Sequence, residues 1–297
     1  MKRLSKKAAT LVGETLTKLQ CDVSSSYACG GGGGFLGPNH GVLCLGRLLS
    51  SNHRGFTLAE VLITLGIIGV VAAISMPSLI QEHREKEAVA RVKKAYSVLS
   101  QAYLLAKEES GPYTDWGITT SMSSPESHII MANKMKKYMN LSQDCVGLAQ
   151  EEVYAKCTQY EGAKITNAAT VMLADGTAIL FRSWDGGCTH NYSLNGNKSL
   201  KTVCGEISAY LRPNKKNVTR GKDIFSFYIT KDGIIPYGVQ DDAHTFAIGC
   251  NRNATSPPYP GFSSSNIFAC TAWVVFNENM DYLHCDGLDW NGKTKCK

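Results

Sequence analysis

From Phe56 to Ile80 the chain runs for 25 residues, FTLAEVLITLGIIGVVAAISMPSLI, with Glu60 as the only ionisable side chain. A bilayer core of about 30 Å needs roughly 20 apolar residues at 1.5 Å each, so this stretch is long enough for a transmembrane helix. A carboxylate inside such a helix costs at least about 2.5 kcal/mol and marks a function shared with a partner group. Glu60 stands four residues after Phe56, and Phe56 directly follows Gly55. Cleavage after Gly55 would leave Phe56 with a free ammonium at the head of the helix. A positive N-terminus one turn from a negative side chain would let two neighbouring copies pair reciprocally.

The run Arg54-Gly55-Phe56-Thr57-Leu58-Ala59-Glu60-Val61, followed by an apolar helix, resembles the cleavage and methylation signal of type IV pilins and type II secretion pseudopilins. The resemblance implies a membrane aspartic peptidase that cuts between Gly55 and Phe56 and methylates Phe56, with Glu60 as the assembly carboxylate. It also implies a single-pass protein of the cytoplasmic (inner) membrane with its N-terminus inside, later joining an extracytoplasmic filament. The implied partners are further copies, other pilins or pseudopilins, the prepilin peptidase and an inner-membrane assembly platform. Residues 1–55 are then a leader that is removed, 56–80 the transmembrane and assembly helix, 81–110 its amphipathic continuation, and 111–297 an exported globular domain.

Charge and cysteine placement follow the same division. Residues 1–55 hold seven Lys/Arg against Glu14 and Asp22, a balance of +5, whereas the other 24 basic and 23 acidic residues leave +1. The body therefore shows no basic bias and no sign of nucleic-acid binding. Three of the eleven cysteines (Cys21, Cys29, Cys44) precede the cut. Eight follow the membrane helix: Cys145, Cys157, Cys188, Cys204, Cys250, Cys270, Cys285 and Cys296. An even number beyond a membrane segment fits disulfides in an oxidising space. The simplest pairings join neighbours, Cys145–Cys157, Cys188–Cys204 and Cys285–Cys296; zinc, using His190 near Cys188 or His284 beside Cys285, is the alternative.

Pro77 cannot donate to the carbonyl of Ala73 and is expected to kink the helix near the outer membrane surface, where pilin helices also bend. Gly66 and Gly69 each lower helix propensity by about 1 kcal/mol relative to alanine, and Gly69 with Ala73 forms a small-xxx-small pair. Beyond Pro77, Val89, Val92, Tyr96, Leu99, Tyr103 and Ala106 recur at steps of three and four. That stripe predicts one apolar face packed on a sheet. Ser110-Gly111-Pro112 ends the helix. The glycine run Gly30 to Gly34 reads as a linker in the leader.

Residues 111–168 read as a polar connection with one short helix, Ser127 to Met139. Strands follow: Thr170 to Ala174 and Thr177 to Phe181 flank Asp175-Gly176, and Ile224 to Thr230 and Ile234 to Tyr237 flank Asp232-Gly233. Both are hairpin signals. Pro236 marks an edge strand. Glu206 to Leu211 is a further strand candidate, 251–266 a loop, and Thr271 to Leu283 an apolar stretch that fits strand or helix, with helix the preferred reading. The expected fold is α+β and pilin-like: a long N-terminal helix on an antiparallel sheet, with a disulfide-tied C-terminal region.

No motif with catalytic context is present, and the chain is read as a structural subunit. Asp241-Asp242 with His244 reads as a solvated turn. No cofactor is expected; calcium is the one metal candidate, through Asp281, Asp286 and Asp289. Tyr259, Phe262, Trp273 and Trp290 fit packing as well as ligand contact. The rival class is a secreted or membrane-anchored, disulfide-rich binding protein, with Val61 to Ser75 as an ordinary signal region and Ala73-Ile74-Ser75 as its small-x-small cleavage site.

Overall fold

A computed structural model describes residues 56–120, 124–158, 169–215, 218–250 and 268–296. Its axis is helix α1, Leu58–Ser110, whose 53 residues extend about 80 Å at 1.5 Å each. Pro77 lies inside it without ending it. The two halves of α1 differ in what covers them. Large apolar side chains from Leu58 to Ile80 are exposed, whereas Ala88, Val92, Ala95, Leu99, Ala102, Tyr103 and Ala106 are buried.

The second half carries the expected stripe, with Val89 and Tyr96 half-buried against the same core. Sequence reasoning missed the alanines at 88, 95 and 102. Their seven-residue spacing keeps them on one face, and their small side chains let the helix backbone approach what it packs on.

Residues 111–168 hold more structure than expected. Helix α2 is Pro125–Lys136, starting earlier and ending earlier than the predicted Ser127 to Met139. Ser124 caps it by accepting from Ser127 N, and Pro125 occupies the first turn, where a missing N–H costs nothing. Strand β1, Leu141–Asp144, and helix α3, Gln150–Lys156, then follow. The strand's side chains are mostly exposed and the short helix buries none, so neither has an apolar period to betray it.

The remaining strands are β2 (Ala169–Leu173), β3 (Ala178–Ser183), β4 (Val203–Tyr210), β5 (Ile224–Thr230) and β6 (Ile234–Pro236). They form one antiparallel meander in the order β1-β2-β3-β4-β5-β6. Both predicted hairpins are present, with Gly176 at φ +80° in the first turn. In the second turn Thr230 Oγ1 accepts from Asp232 N and Gly233 N at 3.2 and 3.1 Å. Pro236 sits on β6, an edge strand that needs no N–H at that position.

Strands β4 and β5 are buried on both faces. Ile207, Ala209, Phe225, Phe227 and Ile229 join the core that includes the α1 stripe, and Tyr96 stacks on Phe227 at 6.0 Å. Tyr103 donates its hydroxyl to Thr230 O at 2.7 Å, fixing the helix to the end of β5. Lys94 pairs with Asp175 at 2.9 Å in the β2–β3 turn, and Lys107 donates to Lys231 O at 3.0 Å. His128, buried on α2, accepts from Ser183 N at 3.0 Å and ties that helix to β3.

The C-terminal part contains helices α4 (Phe246–Gly249) and α5 (Thr271–Asn277). The predicted helix from Thr271 to Leu283 stops early because Glu278 takes φ +55°, and Asp281–Leu283 forms a separate 3-10 turn. The predicted loop at 251–266 lies outside the described residues.

Candidate functional site

The head of α1 holds the residues singled out for processing and assembly. Phe56 is 82% exposed and stands two residues ahead of the first helical residue. Glu60 falls in the first turn, where a negative charge favours the helix dipole, and it too is exposed. Gly55 and the residues before it lie outside the described residues.

Downstream the helix is suited to lipid or to neighbouring helices. Its apolar window is not buried anywhere in the protein. The hydroxyls of Thr64, Ser75 and Ser78 donate to Val61 O, Val71 O and Ser75 O at 3.0, 2.8 and 2.9 Å. Polar groups in this stretch are thus satisfied within the helix itself, as an apolar medium requires. A Cβ added at Gly66 or Gly69 would meet nothing within 4 Å, so these glycines are open notches on its surface.

The eight candidate cysteines form four disulfides: Cys145–Cys157, Cys188–Cys204, Cys250–Cys270 and Cys285–Cys296. The first anchors the end of α3 behind β1, and the second ties the loop after β3 to β4. The last closes the C-terminal region, which His284 joins to Glu85 of α1 at 2.9 Å. Asp281 accepts from Cys296 N at 2.7 Å, and Asp289 accepts from Asn291 N at 2.8 Å. Two of the three acids considered for calcium thus hold backbone N–H groups. Among the described residues no cluster of three or more His, Cys, Asp or Glu side chains is placed to hold a metal ion.

The reading of Asp241-Asp242 as a solvated turn needs correction at Asp242, which is fully buried. It accepts from Tyr228 Oη at 3.0 Å, Gly238 N at 3.0 Å and His244 N at 2.9 Å. Tyr228 stacks on Tyr237 at 3.9 Å and on Tyr192 at 5.2 Å, with Trp184 at its edge. Burial, helped by neighbouring tyrosines and Asp242, pushes Tyr228 far above the ordinary tyrosine range, so its hydroxyl stays a donor. This network fastens the loops over the face of the sheet opposite α1 and is structural. Two partners of Asp242, Gly238 N and His244 N, are local turn donors; the third, Tyr228 of β5, arrives from a separate strand and is what the local sequence does not show.

Trp273, also weighed as a ligand contact, is fully buried against Phe246 at 4.0 Å, while Trp290 is half-buried beside it at 5.2 Å. Tyr259 and Phe262 lie outside the described residues.

An apolar helical head carrying one early acid, continued as the spine of a disulfide-tied antiparallel sheet, defines a pilin- or pseudopilin-type subunit, anchored in a membrane. Residues 50–76 match the prokaryotic N-terminal methylation motif, which covers both Phe56 and Glu60. Residues 78–248, more than half of the chain, match a family of unknown function, DUF6613, and the chain belongs to that family. No curated protein and no solved structure matches it significantly.

Proposed function

We propose that this chain is a prepilin-like structural subunit and not an enzyme. It is cut after Gly55, methylated on Phe56, and polymerised through α1 into a pilus-like or secretion-type filament. In the inner membrane its N-terminus faces the cytoplasm and the disulfide-tied domain faces the exported side. The prepilin peptidase, other pilin-type subunits and the assembly platform are its partners. The observation that carries the reading is the coincidence of the methylation motif with a helix that is apolar and uncovered over its first 23 residues, yet packs into the core of a domain over its second half.

The chemistry follows from that helix. Once Phe56 carries a free ammonium, Glu60 of one copy can meet the ammonium of the next in an apolar surrounding. An ion pair there is strongly dependent on both partners, since removing one costs about 3–5 kcal/mol. The pair sets the axial register of the filament, and the apolar helix surface around it supplies the packing. Mass spectrometry of the mature N-terminus is the test, and the expected result is methylated Phe56. A mature chain beginning at Met76, or an intact leader, refutes the reading.

A further inference from the structure

A cleft of about 600 Å³ opens where the apolar half of α1 meets the globular body. One side is apolar, made by Met76, Pro77 and Ile80 of α1 with Met280 opposite. The other side is basic: Arg84 from α1, and Arg212, Lys215 and Lys222 from the β4–β5 connection. Glu85 is the one acid among the described lining residues, and it is engaged by His284 at 2.9 Å.

The cations divide into two pairs. Arg212 and Lys215 flank the fully buried Asp223 at 3.5 and 2.8 Å, so they share one negative charge. Arg84 is exposed and Lys222 half-buried, and neither forms an ion pair with any described residue. Counting the four cations against Glu85 and Asp223 leaves the cleft with a charge of about +2 at neutral pH.

The depth of the cleft along α1 matters as much as its charge. At 1.5 Å per residue Met76 lies about 27 Å along α1 from Leu58, and Ile80 about 33 Å. A helix beginning at one edge of a hydrocarbon core about 30 Å thick therefore leaves it between Met76 and Ile80. Arg84, about 9 Å beyond the core, stands at the outer edge of the headgroup layer, where a long helical side chain leans back towards the N-terminus and the phosphates. The apolar side of the cleft faces the acyl region, and the basic side lies at the level of phosphates.

We propose that this cleft binds an anionic phospholipid of the leaflet on the exported side. The phosphate is held between Arg84 and Lys222, the glycerol lies against Ile80, and the upper acyl chain lies along Met76 and Pro77. The proposal rests on the reading of α1 as a membrane helix. A subunit stored in the membrane would then be seated at a fixed depth by its lipid, and extraction into a filament would require release of that lipid.

The test uses the full chain, reconstituted into nanodiscs of equimolar phosphatidylglycerol and phosphatidylcholine. Native mass spectrometry then reads which lipid remains bound. Retention of phosphatidylglycerol over phosphatidylcholine is expected. Each cation near an anionic lipid surface is worth about fivefold, so Arg84→Gln with Lys222→Gln should reduce that preference by about tenfold or more. Arg84→Lys with Lys222→Arg should retain it, and Lys137→Gln, paired with Glu109 at the opposite end of α1, should leave it unchanged. Equal retention of both lipids, or a preference indifferent to the double substitution, overturns the proposal. So does a preference abolished by millimolar inorganic phosphate, which would mark a simple anion site, or one confined to oligomers, which would mark a site completed by a second copy. Failure to enter nanodiscs at all refutes the membrane reading and the lipid site with it, whereas entry without lipid preference refutes the lipid site alone.

Discussion

Tyr103→Phe isolates the bond that couples the helical spine to the sheet. The ring of Tyr103 is fully buried and tilted against Trp116 at 5.9 Å, and phenylalanine keeps that packing. Only the hydroxyl is lost, with its bonds to Thr230 O at 2.7 Å and Lys231 O at 3.2 Å. Lys231 O retains the donor Lys107 Nζ at 3.0 Å, so the penalty concentrates at Thr230 O. Losing a hydrogen bond and leaving one buried carbonyl short of a donor costs about 1–2 kcal/mol. In a chain of this size each kcal/mol lowers Tm by about 2–4 °C, so a fall of about 2–8 °C is expected. Thermal unfolding of the full chain in detergent, with disulfides intact and followed by near-UV circular dichroism, reads it. Tyr138→Phe is the control, because its hydroxyl meets Glu109 at the surface and should be worth less than about 0.5 kcal/mol. Equal shifts in the two variants would show that the Tyr103 hydroxyl does not couple helix to sheet. Burial, with Asp232 adding to it, also raises the folded pKa of Tyr103 well above its unfolded value. Its contribution is then fully present below pH about 10 and is lost as pH rises beyond that, so the variant should be less sensitive to alkali than the parent.

Glu60→Leu should insert and be cut after Gly55, yet lower sheared filament yield by about a hundredfold or more relative to Ile63→Leu, from the loss of one side of a buried pair; equal yields would make Glu60 a passenger. Burial, with nearby Arg182, holds His128 at about 4, so the unfolded chain binds its proton first. Stability from His128 is present above pH about 6.5 and lost as pH falls towards 4, by at most about 3 kcal/mol, and His128→Asn should flatten that part of the Tm–pH curve; an unchanged curve refutes it. Gly238 has φ +90°, and a Cβ there would lie 1.9 Å from Ala269 O. Gly238→Ala should therefore cost about 3 kcal/mol or more, combining left-handed strain with forced backbone movement; urea unfolding with an unchanged midpoint would count against that placement.

What local sequence determined about this protein is what short-range physics dictates. Twenty-five residues with one acid mark a membrane helix whatever follows them, and Asp175-Gly176 and Asp232-Gly233 turn the chain because each needs only its own backbone and flanking strands. The stripe from Val89 to Ala106 is equally local, since a 3.6-residue period requires no knowledge of the partner surface. Strand β1 was illegible for the complementary reason: Leu141–Asp144 is a polar edge whose only claim to be a strand is pairing with β2, some thirty residues away. The meeting of Asp242 with Tyr228 of β5 and the placing of Arg84 and Lys222 around one cleft were decided by tertiary structure. Each depends on groups distant in sequence arriving at one place, and a carboxylate or an ammonium carries no local mark of the donor, backbone or headgroup level that it will meet.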